Sequence, residues 1–119
     1  MQYALLIYEN DAEAYPEGEA DQAWRDILAA HGSFSEELAR AGAIRGGAGL
    51  KPVQTATTVR VSPAGRTLHD GPYAETREQL GGFYLIEAAD LDEAIAWARK
   101  LPLAGAGAIE IRPVLDDPA

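Results

Sequence analysis

The chain has 119 residues, 47% of them apolar, with a net charge of −9 and no cysteine. That length fits one domain over residues 1–119 with one core. The acidic balance repels phosphate backbones and anionic bilayers, so neither nucleic acid nor membrane is an expected partner, and the missing thiols exclude disulfides, thiolate nucleophiles and Cys-ligated metals.

The opening MQYALLIYE lacks the basic and long apolar regions of a signal peptide, and no run reaches the roughly 18 apolar residues of a membrane span, so a cytoplasmic location is expected. Residues 3–8 predict a strand that is apolar on both faces, Tyr3/Leu5/Ile7 and Ala4/Leu6/Tyr8. An acidic connection over 11–19 leads to a helix over 20–41, where Trp24, Ile27, Leu28, Phe34 and Leu38 recur at helical spacing and Gly42 fits the stop position. Gly32 inside this helix costs about 1 kcal/mol against alanine, which predicts a kink or a close backbone approach. Residues 43–50 form a weak, glycine-rich strand and 55–62 a better one, which turns at Pro63-Ala64-Gly65 into a partner over 66–69. After the Asp70-Gly71-Pro72-Tyr73 turn and an acidic stretch, Gly81-Gly82 open a strand over 83–87, again apolar on both faces (Phe83/Leu85 and Tyr84/Ile86). Asp90 and Glu93 have capping-box spacing at the start of a second helix with Leu91, Ala94, Ile95, Ala98 and Leu101 as its stripe. The last strand, 108–114, alternates Ile109/Ile111 with Glu110/Arg112.

This order, β-α-β-(β-hairpin)-β-α-β, predicts an α+β, ferredoxin-like fold with an inserted β-hairpin. The two doubly apolar strands take the central places. One sheet face packs on the helices; the other needs cover. A second copy supplies it most simply, which predicts a homodimer of the dimeric α+β barrel type. The alternative is that the hairpin folds over that face.

His31 lies seven residues after Trp24 and seven before Leu38, on the inward stripe of the first helix. Histidine is suited to acid/base work near neutral pH, although a core histidine bonded to one carbonyl has the same signature. Pro72 stiffens the turn that carries Asp70, either to present a functional carboxylate or simply as an Asx turn. Glu75, Thr76 and Glu78 form either the rim of a ligand site or a solvated loop. Arg112 serves either an anion or a salt bridge. The Gly46–Gly49 run lacks the Lys-Ser/Thr of a phosphate loop, no serine sits in a nucleophile elbow, and no HxxxH or HxH spacing occurs, so neither metal nor cofactor is expected.

The segment over residues 70–102, DGPYAETREQLGGFYLIEAADLDEAIAWARKLP, resembles the YCII-related family in its DGPF-motif branch, which typically reads DGPFAETKEQLGGFY before an acidic helix start. Tyr73 replaces the usual Phe and Arg77 the usual Lys. The opening strand, the ATTVR run at 56–60 and the IEIRPV run at 109–114 are also similar, so the likeness spans nearly the whole chain. The resemblance implies a dimeric ferredoxin-like fold with an active-site cleft, and a helix histidine with an aspartate as its reactive pair. His31 stands in the matching helix and Asp70 is the carboxylate of the branch's own motif, with Gly71, Pro72, Tyr73, Glu75, Thr76 and Arg112 as substrate-binding candidates. The branch's frequent association with extracytoplasmic-function sigma factors implies a regulatory partner.

Two readings follow. In the first, His31 and Asp70 perform acid/base chemistry on a small molecule. In the second, the cleft is a non-catalytic ligand- or partner-binding regulatory module. The first requires His31 and Asp70 to reach each other or one pocket.

Overall fold

The computed structural model describes residues 1–73 and 76–116. In chain order the elements are β1 (Gln2–Glu9), α1 (Asp11–Ala14), α2 (Gln22–Arg40), β2 (Ile44–Gly49), β3 (Thr57–Ser62), β4 (Gly65–Asp70), β5 (Gln79–Glu87), α3 (Leu91–Ala98) and β6 (Gly107–Pro113). Four strands form an antiparallel sheet in the order β2-β5-β1-β6, and β3 pairs only with β4. This is a mixed α+β architecture compatible with a ferredoxin-like fold, with β1 and β5 central as expected. No helix among the described residues is long and apolar enough to cross a membrane.

Alternation along the central strands decides the core. Tyr3, Leu5 and Ile7 of β1 and Tyr84 and Ile86 of β5 are buried against Phe34 and Leu38 of α2 and Ala94 and Ala98 of α3. The opposite face, with Ala4, Leu6 and Tyr8 beside Phe83 and Leu85, is only half-buried in the single chain. The expectation of two buried faces therefore holds for one face only. The molecule measures 43 × 43 × 18 Å, with α2 and α3 packed on one face of the four-stranded sheet and the β3–β4 hairpin as a separate pair.

Helix α2 is fixed at both ends by its own sequence. Asp21 caps its N-terminus by accepting the Ala23 N–H at 3.0 Å. At the other end Gly42 takes φ 68°, and its N–H and that of Ala43 close onto the carbonyls of Ala39 and Leu38, a Schellman stop. Helix α3 starts as its capping signature predicts, with the Glu93 N–H on Asp90 at 2.9 Å and the Glu93 carboxylate accepting from the Ala89 N–H.

Three local expectations are corrected. The acidic connection begins with the helical turn α1, because the Asn10 side chain caps the Glu13 N–H. Leu28 and Leu91 are about half exposed rather than buried, Leu28 because it borders the cavity described below. Gly32 makes no close approach: a Cβ added there meets nothing within 4 Å.

The close approach lies in the sheet instead. A Cβ at Gly47, where φ is 139°, would stand 2.5 Å from the Phe83 carbonyl oxygen, whereas one at Gly49 would meet nothing within 4 Å. Gly47→Ala is therefore expected to destabilise the fold by about 1–3 kcal/mol, and Gly49→Ala by less than about 0.5 kcal/mol, in chemical denaturation. Equal losses from the two would refute this account of the β2–β5 pairing.

Candidate functional site

A cavity of about 580 Å³ opens between the N-terminal half of α2 and the β2–β5 end of the sheet. Missing side chains create it. Gly46, Gly47 and Gly49 of β2 and Gly81 and Gly82 of β5 form its floor, while Trp24, Ile27, Leu28, His31 and Gly32 of α2 form its roof. The β1–β5 register slips between Ile7 and Tyr8, so Gly81 is the extra residue of a bulge. Bulges recur beside functional sites because they re-aim neighbouring side chains. Here the neighbour is Glu9: its carboxylate oxygen occupies space 2.7 Å from where a Gly81 Cβ would stand.

One end of the cavity carries His31. Its Nδ1 lies 2.8 Å from the Tyr84 hydroxyl, and the Ser35 hydroxyl donates to the same oxygen at 3.4 Å. With Ser35 donating to Tyr84, Tyr84 is free to donate to Nδ1, and the neutral ring then carries its proton on Nε2. Burial lowers the His31 pKa and raises that of Tyr84, so both are neutral near pH 7. The rings of His31 and Tyr84 stack, and Phe34 packs edge-on against Tyr84.

The other end carries Glu9, whose pKa is raised by burial and by the nearby Asp11 charge, against a lowering contact from the Tyr15 hydroxyl at 3.4 Å. Asp11 is itself buried, accepts the Val53 N–H at 3.1 Å, and has its pKa raised by burial. Tyr15 meets Trp24 edge-on with ring centroids 5.0 Å apart. Glu19 and Lys51 also line the cavity; both are exposed and pair at 3.7 Å.

Of the described residues proposed from sequence as catalytic or substrate-binding, His31 alone lines this cavity. Asp70 is exposed at the end of β4 and lines neither this cavity nor a second one of about 460 Å³. The expected sharing of a pocket by His31 and Asp70 is not met within one chain, because β3 and β4 pair only with each other and carry Asp70 out of the layer between α2 and the sheet. Pro72, Tyr73 and Thr76 line the second cavity together with Tyr8 and Leu80. Gly71 lines neither cavity; its N–H donates to the Ala56 carbonyl at 2.7 Å and its carbonyl accepts from Thr58 at 2.8 Å. Arg112 is exposed and bonds Glu110, the ion-pair alternative. Glu75 lies outside the described residues. Glu78 lines the second cavity.

Glu9, Tyr84, Ser35 and the Tyr15/Trp24 pair were missed. Extending the Tyr3/Leu5/Ile7 alternation by one step puts Glu9 on the inward face, and the Tyr84/Ile86 face likewise points to α2. A carboxylate on a core face was the legible signal.

Glu9 and His31 have opposite linkage. Where burial raises the Glu9 pKa, the native state keeps a proton that the unfolded chain has lost, so stability falls as pH rises through that window. Glu9→Gln is expected to raise Tm at pH 7, and the gain should vanish below about pH 4. For His31 the folded pKa is lowered, so stability is lost as pH falls from about 6.5 toward the folded value; His31→Gln should flatten that loss. Thermal unfolding across pH 3.5–8 reads both, and a lower Tm for Glu9→Gln at pH 7 would contradict the burial cost.

The model of the YCII-related domain matches residues 1–116. An uncharacterised protein of Rhizobium meliloti (strain 1021) is 40% identical over 118 residues, an alignment that covers 96% of this chain and 92% of that relative. The likeness thus takes in the strands, the helix that carries His31 and the glycine floor alike, and the chain belongs to the family of YCII-related domain proteins.

Proposed function

We propose that this protein binds a small, largely apolar molecule in the cavity beneath α2, held by hydrogen bonds at its two ends. The observation that carries the reading is a cavity of ligand size, about 580 Å³, with apolar and backbone walls and only a few convergent polar groups. His31 with Tyr84 forms one such group and Glu9 with Tyr15 the other. A cavity framed by an aromatic roof and a side-chain-free floor suits a flat or compact body.

The binding unit in this reading is a homodimer of the dimeric α+β barrel type. A compact monomer of 12.7 kDa exposes roughly 6,200 Å², whereas this chain exposes 7870 Å². The excess of about 1,600 Å² exceeds the roughly 800 Å² that each partner contributes to a standard interface. The half-buried face of Ala4, Leu6, Tyr8, Phe83 and Leu85 supplies part of it. The β3–β4 hairpin, read as an insertion into the ferredoxin-like domain, supplies more through Val59, Val61 and Leu68, which are 56%, 68% and 71% exposed. The DGPY turn at its base supports placement in the DGPF-motif branch, and with it a regulatory role beside a sigma factor as the setting.

A second reading, acid/base turnover of the bound molecule, is favoured by the 2.8 Å His31–Tyr84 bond, which poises a neutral imidazole inside the cavity. In this reading Glu9 takes the place expected for Asp70.

A thermal-shift screen of the full chain against small aromatic and alicyclic molecules tests the binding. A ligand at a hundred times its Kd stabilises by about 2.7 kcal/mol, on the order of 10 °C. His31→Ala should weaken the shift, and Gly32→Leu, whose side chain projects into open space beside the cavity, should abolish it without unfolding the chain. Unchanged shifts in both variants would place the ligand elsewhere. Turnover would show as His31-dependent loss of ligand C–H signals in deuterated buffer.

For the assembly, light scattering on the eluting protein should give twice the 12.7 kDa chain mass, and Leu6→Glu should give the monomer. A wild-type monomer at micromolar concentration would remove the dimer.

A further inference from the structure

The charge inventory of the cavity says more than its size. Among the described residues its lining holds two carboxylates, Glu9 and Glu19, and one cation, Lys51. Glu19 and Lys51 are exposed and pair with each other, which leaves Glu9 as the uncompensated charge. No arginine lines the cavity.

Resting on the binding reading above, we propose that the cavity selects amines and neutral polar molecules built on an apolar or aromatic body, and turns away carboxylates and phosphates. An ammonium group would sit at the Glu9 end. There it meets a carboxylate already desolvated by the protein and the rings of Tyr15 and Trp24, whose faces attract cations. Asp11, next to Glu9 but outside the lining, adds negative potential. At the far end His31 and Tyr84 are neutral hydrogen-bonding groups, able to meet a hydroxyl or carbonyl but giving no charge to an anion. An anionic ligand would lose its hydration and face Glu9 with no free cation in the lining. The bulge at Gly81 is part of the device, because any side chain there would displace the Glu9 carboxylate.

Three molecules of one shape separate charge from fit: tyramine, 4-(2-hydroxyethyl)phenol and 4-hydroxyphenylacetate, titrated calorimetrically into the full-length protein at pH 7.5. Tyramine is expected to bind about tenfold more tightly than the alcohol, and the acid to bind more weakly than either. Glu9→Gln should shrink the advantage of tyramine over the alcohol from about tenfold to within about twofold, whatever it does to the affinity of both. Glu9 is faced by Asp11, Tyr15, Glu19 and Lys51; in the wild type the advantage of the amine should shrink as pH falls and Glu9 takes up its proton, and in Glu9→Gln that trend should be much weaker, with Asp11, whose pKa burial also raises, supplying what remains. Tighter binding of the acid, or no gain of amine over alcohol, overturns the selectivity and leaves the binding reading standing. No saturable binding by any of the three overturns both.

Discussion

The cavity depends on a backbone contact that only glycine permits. Strand β2 approaches β5 so closely at Gly47 and Gly82 that a Cβ on either would reach a carbonyl oxygen of the opposite strand, at 2.5 Å and 2.9 Å. Glycines therefore stand where larger side chains would fill the space between this end of the sheet and α2. The C-terminal half of the helix descends onto Tyr84 and Ile86 through Phe34 and Leu38, and the Schellman stop at Gly42 ties that end to β2. The N-terminal half is held over the glycine floor, its Trp24 resting edge-on against Tyr15. The same helix is thus core at one end and roof at the other, and the boundary falls at His31.

That boundary position explains the chemistry of the imidazole. A histidine further toward Leu38 would be a sealed core group, and one further toward Asp21 would be solvated. At the edge it is buried enough to lose its charge but keeps one ring nitrogen for the cavity, the other being taken by Tyr84. Glu9 is the counterpart on the sheet side: the last residue of β1, placed inward by strand alternation and accommodated by the bulge at Gly81. Each polar group is held in place by an aromatic hydroxyl. Neither depends on the other, so binding and proton transfer can be separated experimentally.

Most of the fold was legible because the decisive signals were periodic. Two doubly apolar strands, two capped helices and a Pro-Ala-Gly turn each follow from local rules. The site was only half legible, for two physical reasons. The expected Asp70 partner rested on the stiff turn and the family likeness, whereas strand pairing among the described residues confines β3 and β4 to each other; nothing in a local pattern says which sheet a hairpin joins. The glycines of β2 read as weakness in a strand and those of β5 as its opening, because a missing side chain signals neither a close approach nor a cavity until the facing element is known. Gly32 and Gly47 illustrate the ambiguity: the first faces open space, the second a carbonyl oxygen.

The motif that carries the family likeness acquires a structural account in consequence. Gly71, at φ 97°, turns the chain out of β4, and its two polar backbone groups are both used at the base of the hairpin, the N–H by Ala56 and the carbonyl by Thr58. Only glycine enters that conformation without strain, and Pro72 fixes the next step of the chain. Tyr73 then lies beneath the Arg60 guanidinium, 5.3 Å from it. The turn thus sets the angle at which β3 and β4 leave the body, and with it the direction in which Val59, Val61 and Leu68 are presented. A sequence constrained at this turn needs no contact with the cavity to matter for function. If the binding unit is a dimer, the geometry of the arm decides how two cavities are placed relative to each other, while the glycine floor and the His31 boundary decide what each of them holds.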